Sequence, residues 1–312
     1  MSDRDGEVVE LAPGRTVALR LHVSFLTSLF QRIGSQIREI RRGSSKGGAG
    51  DPILSRFAAV CPPIEILRWG EYAVRDAAEV QEVGTLIRRR AENWASDLTS
   101  AIEHVADRYK GDAWPGDKAA LMETQRWLAD KLRPIKDDII LGLRRGLELP
   151  PDDRPLDVVL VRNSYEIAGA HSHPVLIDTS RFSGASLIEV LFHEIGHEML
   201  DRSVGLDRSG IAVLFRSLET APQNSRVTVH DLLHISLFAN AGSLVREHFD
   251  RDHRPVLYER GRLGRMLQKM QVSAPESDVV ALLNRHAAGE FGLDELARVF
   301  IDLSAKATPL TS

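Results

Sequence analysis

His193, Glu194 and His197 lie within one turn of each other in the stretch EVLFHEIGHEML, residues 189–200. On an α-helix a step of four residues turns about 400°, so the two imidazoles project from nearly one face, about 6 Å apart along the axis. Two imidazoles so placed can reach one Zn2+ through bonds of about 2.0–2.1 Å. Glu194 stands about 100° around the helix. That is too far round for a natural third ligand, but it is within reach of a water bound to the metal. Such a water is acidified, and a carboxylate beside it can take its proton during attack on a carbonyl. The spacing H-E-x-x-H thus encodes two ligands and one general base.

The competing reading is an amphipathic helix with two core histidines bonded to neighbours. The flanks count against it. Leu187, Ile188, Val190, Leu191, Phe192, Ile195, Met199 and Leu200 are apolar, so the motif sits on a buried helix, where histidine is uncommon without a partner. Gly196 is costly inside a helix and implies a strand or ligand passing close by.

A third ligand must come from elsewhere in the chain. VHDLLHISLFANAGSLVREHF, residues 229–249, offers His230 and His234 one turn apart on one face. Glu219 and Glu247 are the other nearby candidates. Cys61 precedes two prolines with no histidine close in sequence, so it is read as structural. His104 and His286 lie in helical runs remote from the motif and are read the same way.

FHEIGHEML resembles the active-site helix of the zincin metallopeptidases. The metzincin extension needs Gly at position 200 and His at 203; Leu200 and Ser203 stand there, which excludes that branch. Gluzincins take a glutamate from a following helix, and SLETA around Glu219 does not resemble their motif. The stretch from His234, HISLFANAGSLVRE, is similar to uncharacterised bacterial HExxH proteins, in which a helix reading H-x-x-x-F-x-x-x-G-x-x-x-R follows the zinc helix. That resemblance implies His234 as third ligand, with Phe238, Gly242 and Arg246 on the rest of the pattern. It also matches His173-Pro174 to a segment before the zinc helix and Tyr258 to a tyrosine after the second one. Tyr258 would then donate its hydroxyl to a developing oxyanion, although packing at a helix start explains a tyrosine there equally well. His171 or His173 could touch substrate or simply end a strand. Glu198, Asp201 and Asp231 are candidates to orient the imidazoles through their second nitrogens.

The elements that must position these groups follow from periodicity. Residues 17–42 read as one helix with a basic tail, and 43–52 (rich in Gly and Ser) as a flexible linker. Residues 63–110 are nearly free of helix breakers, and GDAWPGD, 111–117, is a turn cluster. A helix fits 118–147, with Pro134 placed to kink or split it. LDVVLVRN, 156–163, and HPVLIDTS, 173–180, read as short strands, the second suited to aligning an extended peptide by edge pairing. Helices then fit 183–203, capped by Ser183 or Ser186, and 208–221, and 228–249 with Thr228 as N-cap. Further helices fit 258–270, 276–288 and 293–305.

The expected fold is α+β and predominantly helical: a zincin-like core with a small β-sheet and an active-site helix, preceded by a helical N-terminal half. The expected organisation is an N-terminal helix and linker (1–52), a helical region (53–150) and a metal-binding region (151–312), the last two able to form one unit.

Composition bounds the rest. The chain has 312 residues, 43% hydrophobic and 27% charged, values of a soluble globular protein. A net charge of -4 does not suggest a nucleic-acid binder. A single cysteine rules out an internal disulfide and a cysteine-rich zinc site. The acidic N-terminus lacks a signal pattern, and no run is long enough to span a bilayer, so a cytoplasmic location without membrane insertion is expected. The functional expectation is a zinc-dependent hydrolase with one Zn2+, cleaving a peptide, protein or small-molecule amide. The alternative is a helical binding or regulatory protein with a structural or vestigial zinc site.

Overall fold

The computed structural model describes residues 6–43, 52–60, 95–164, 168–169, 174–203, 210–221, 225–259 and 261–305. The chain divides into two compact units, each built from discontinuous segments. The first comprises Met1–Ala12, Ala18–Lys131 and Pro155–Phe182; the second comprises Pro13–Val17, Leu132–Arg154 and Ser183–Ser312.

The first unit holds a mixed sheet of β1 (Gly6–Leu11), β2 (Leu19–Ser24), β3 (Leu156–Val161), β4 (Ala168–Gly169) and β5 (Val175–Asp178). Their order across the sheet is β1-β2-β3-β5-β4. β1 and β2 are antiparallel, in register from Gly6↔Ser24 to Leu11↔Leu19. β2, β3 and β5 run parallel to each other, and β4 returns antiparallel on β5. The expected helix over 17–42 is thus half right. Leu19, Leu21 and Val23 are buried while Arg20, His22 and Ser24 are half-buried, an alternation of period two that makes a strand. Helical spacing begins only at Phe25. There Ser24 caps α1 (Phe25–Arg41), its hydroxyl accepting from the Thr27 backbone N–H at 3.2 Å. β4 pairs with β5 at Leu176 and Ile177, so those residues do not present the open edge expected of this strand.

Helices α2 (Pro52–Val60), α3 (Ala95–Arg108) and α4 (Trp114–Leu132) also belong to the first unit. The turn expected over 111–117 is instead helical: one π turn, Tyr109–Ala113, leads directly into α4. The helix runs on without a break: the Trp114 N–H bonds to the Tyr109 carbonyl five residues back, and Pro115, the next residue, has no N–H to continue that series. Phe25, Tyr109 and Trp114 pack with ring centroids 5.3–5.8 Å apart and anchor α1 to this bend. Buried Gln125 of α4 donates to the carbonyls of Glu7 and Leu21, tying the helix to β1 and β2. His104 lies on α3. The expected linker at 44–51, and 61–94 with Cys61 and most of the long helical run, lie outside the described residues.

The second unit is helical. It contains α5 (Lys136–Gly146), α6 (Gly184–Arg202), α7 (Gly210–Glu219), α8 (Val229–His248), a 3-10 turn (Val256–Tyr258), α9 (Arg262–Lys269), α10 (Glu276–Ala287) and α11 (Leu293–Ala305). Pro134 does split the expected 118–147 helix, between Leu132 and Lys136. Thr228 is the N-cap of α8, its hydroxyl accepting from the Asp231 N–H. Leu232 and Ile235 of α8, Leu263 of α9, Leu283 of α10 and Phe300 of α11 share one core. His286 is a core histidine, 2.8 Å from the Ser236 hydroxyl and 3.1 Å from the Phe291 carbonyl. Among the described residues no helix is long and apolar enough to cross a membrane.

Candidate metal centre

α6 is buried almost all round, because Leu187, Ile188, Leu191, Phe192, Ile195 and Met199 leave it no solvent face of any width. It starts at Ser183, whose extended backbone fills the N-cap position without a side-chain bond. At its other end Arg202 pairs with Glu198 at 2.6 Å and with Asp152 at 3.3 Å. The strand or ligand expected beside Gly196 is another helix: a Cβ at Gly196 would overlap the Leu237 side chain of α8. That missing methyl lets α6 and α8 approach closely, and the approach is what delivers a third imidazole.

His193, His197 and His234 each offer a ring nitrogen, and these nitrogens lie within 4.8 Å of one another. The three side chains could together hold a metal ion. The Nε2 atoms of His193 and His197 are 3.1 Å apart, close to the roughly 3.3 Å between two nitrogens bonded tetrahedrally to one ion at 2.0–2.1 Å. The ring of His234 lies parallel to that of His193 with centroids 5.3 Å apart, and at 4.7 Å from His197 edge to face. His193 is 2% exposed. Burial holds it well below the ordinary imidazole value, and His197, His234 and the positive charge of Arg262 push the same way. His193 is therefore neutral at physiological pH, the form with a lone pair for a metal.

Glu194 is almost buried, with one carboxylate oxygen 3.9 Å from Nε2 of His193. The other ligand candidates fall away. The His230 side chain is 69% exposed and 3.7 Å from Asp231, although its ring lies 4.5 Å from that of His234. Glu247 is exposed beside His248, and Glu219 is exposed at the end of α7. Neither belongs to the three-residue group.

The pattern on α8 acquires physical meaning. Phe238, one turn after His234, stacks on His193 with centroids 3.6 Å apart. Gly242, another turn on, makes room for Pro255: a Cβ there would come within 2.7 Å of the proline ring. Arg246 donates to the Asn284 side chain at 2.9 Å. Of the carboxylates expected to orient the imidazoles, none bonds His193: among the described residues its buried Nδ1 has no hydrogen-bond partner. Glu198 is taken up by Arg202, Asp231 by Lys269 and Thr228, and Asp201 is exposed. Phe238 holds the ring instead.

Sequence reasoning passed over the device one turn before His193. Glu189 is fully buried on α6. Its carboxylate lies 2.5 Å from His253 Nε2 and accepts from the Val256 N–H at 2.9 Å. Burial raises its pKa against the pull of these partners. The signal was a lone carboxylate inside an apolar run, at the same four-residue step as His193 and His197. Glu189 fastens the 253–258 segment to α6, the helix that carries His193 and His197. Tyr258 ends that segment, packed beside the core of the second unit. Burial, with a lesser push from Glu189 against the pull of Arg246, raises its phenol to about 12, so it remains a donor at neutral pH. His171 and His173 lie outside the described residues.

No family model, curated protein or solved structure gives a significant match to this chain.

Proposed function

We propose that the protein is a zinc-dependent hydrolase that cleaves an amide bond in a peptide or a small molecule, within a zincin-like arrangement. The carrying observation is the position of Glu194, its carboxylate 3.9 Å from the metal-facing nitrogen of His193. Three imidazoles and no acidic ligand suit zinc, and a zinc ion there would supply Lewis acidity and a water of lowered pKa. His193, His197 and His234 would hold the ion, and imidazole ligands, carrying no negative charge, would leave its charge undiminished. Glu194 accepts the proton of the attacking water and passes it to the leaving nitrogen. Tyr258, protonated throughout the physiological range, is the candidate donor to the oxyanion. Among the described residues no fourth ligand joins the group, which favours an open, catalytic position over a closed structural one.

The test is to measure zinc in protein purified without chelators, then to compare Glu194→Gln with wild type on a peptide pool. We expect one zinc per chain in both, and a loss of hydrolysis of about 10²-fold or more in the variant, the usual span of a general base. Absence of zinc removes the central claim. Full zinc with unchanged kinetics in Glu194→Gln favours a binding protein with a structural metal. In that case His230, one turn from His234, is the side chain to test as a fourth ligand.

A further inference from the structure

α6 and α8 run antiparallel and face each other in rungs four residues apart. His197 meets His234 with ring centroids 4.7 Å apart, and one turn along His193 stacks on Phe238 at 3.6 Å. The next step of four on each helix reaches Glu189 and Gly242. These two are neighbours as well: a Cβ at Gly242 would lie 3.3 Å from Glu189 Oε1. The third rung therefore continues the ladder that carries the imidazoles, with a fully buried carboxylate in place of a ring.

The chain beyond α8 closes this rung. Phe249 caps α8, and the chain then returns so that Pro255 sits against Gly242, its ring within 2.7 Å of where a Cβ would stand. His253 Nε2 lies 2.5 Å from Glu189 Oε2, and the Val256 N–H reaches the two carboxylate oxygens at 2.9 and 3.0 Å. His253, Pro255 and Val256 are all buried. Residues 253–256 thus touch α8 at Gly242 and α6 at Glu189, as a strap across the two helices. For stability alone a buried carboxylate is a poor choice, because an apolar side chain of like size avoids the cost of desolvation. What the carboxylate adds is direction. Its bonds to Val256 and His253 are satisfied in one arrangement of strap and helix, whereas apolar packing tolerates several.

We propose that Glu189 is a positioning residue for the metal centre. Through its bonds to the 253–256 strap it fixes the spacing of α6 and α8, and so the distance at which His234 meets His193 and His197. Glu189 is not a ligand: both its oxygens are taken by the strap, and it stands outside the three-residue group. The effect travels along the ladder, from the Glu189–Gly242 rung to the stacked His193 and Phe238 and on to His197 and His234. The inference rests on the reading of the three imidazoles as a zinc centre, so its test reads metal binding and not turnover.

The full chain is stripped with a chelator and titrated with Zn2+ against a chromophoric competitor, then with Co2+, whose visible absorption reports coordination geometry. Glu189→Ala should weaken zinc binding about tenfold or more and alter the Co2+ bands. Glu189→Gln, which keeps an acceptor for the Val256 N–H, should recover most of both. Gly242→Ala attacks the strap from the other helix with Glu189 left in place, so the outcome does not hang on whether Glu189→Ala folds. Its methyl should push Pro255 off α8 and weaken zinc in the same way, and Pro255→Gly in the same chain should restore it. Leu296→Ala is the control for general loosening, since α11 carries no residue of the rungs or the strap. It should lower the thermal midpoint and leave metal binding as in wild type. If Glu189→Ala or Gly242→Ala binds both metals as wild type does, the proposal is overturned. It is also overturned if Leu296→Ala weakens zinc as much, because any loosening of the unit would then suffice. A wild-type chain without zinc affinity removes the metal reading and this inference together. Wild-type affinity that the strap variants leave unchanged removes the inference alone.

Discussion

Phe238 does for His193 the work that a hydrogen-bond acceptor does for most metal-bound imidazoles. Among the described residues the ring nitrogen away from the cluster has no partner, and the stacked phenyl at 3.6 Å fixes the plane of the imidazole. Orienting groups around metal ligands typically set about 10–100-fold of metal affinity. Phe238→Ala should therefore weaken zinc binding by about tenfold or more, read by competition with a chromophoric chelator, while Phe238→Tyr should retain most of it. The same titration separates the two histidines of α8. His234→Ala should lose tight binding, whereas exposed His230→Ala should bind as wild type does; the reverse ranking would reassign the third ligand. At this scale the sequence was readable wherever partners are near in the chain. The spacing of His193, Glu194 and His197 is a property of one helix turn. The burial of Glu189 had a local signal in its apolar run, but its partner did not, because His253 is 64 residues away and no local pattern links them.

α6 and α8 meet where Gly196 faces Leu237, and that contact sets how close His234 comes to the other two imidazoles. Gly196→Ala gains roughly 1 kcal/mol of helix propensity but forces a methyl into buried Leu237, and overpacking costs about 1–3 kcal/mol. The variant should be less stable than wild type and bind metal more weakly. In a Leu237→Ala background the same substitution should cost little or become favourable, because the obstructing methyl is gone. A thermodynamic cycle by urea unfolding measures the coupling; additive effects would mean that the two helices are not limited by this contact. The helices of this unit were recoverable from apolar periodicity and from Thr228 as a cap, since both are local signals. The strand β2 was misread because Leu19, Leu21 and Val23 satisfy a helical pattern almost as well as an alternating one, until pairing with β1 and β3 decides between them. The turn expected over 111–117 failed for a related reason: a π turn carries the helix through Gly111 and up to Pro115, and the packing of Tyr109 and Trp114 on Phe25 holds the chain helical there.

Across the whole chain, acid should find its weakest points in a few buried or bonded carboxylates, and their signs differ. Burial alone would raise Asp137, Asp152 and Asp231, but bonds to cations and donors outweigh it. Lys136, Thr16 and the Arg15 N–H act on Asp137; Arg154 and Arg202 act on Asp152; Lys269 and Thr228 act on Asp231. All three titrate below the ordinary carboxylate value, Asp152 at about 2. A carboxyl whose folded pKa is depressed contributes stability that is complete above its unfolded value, near 3.9, and is lost as pH falls through the folded value. Glu189 has the opposite sign. Its folded pKa is raised, so ionisation near neutral pH opposes folding, and that opposition fades as acid protonates it. The thermal midpoint should therefore hold or rise slightly on acidification from neutral pH toward about 4, and fall steeply between about 4 and 2. Two variants separate the contributions. Asp152→Asn should lower the midpoint at pH 7 and shallow the loss below pH 4, since it removes the paired carboxylate. Glu189→Gln keeps an acceptor for the Val256 N–H without the buried charge, so its stability relative to wild type should be greatest at pH 7 and decline as pH falls. A midpoint for Glu189→Gln that stays parallel to wild type from pH 7 to 4 would show that Glu189 does not titrate in this range.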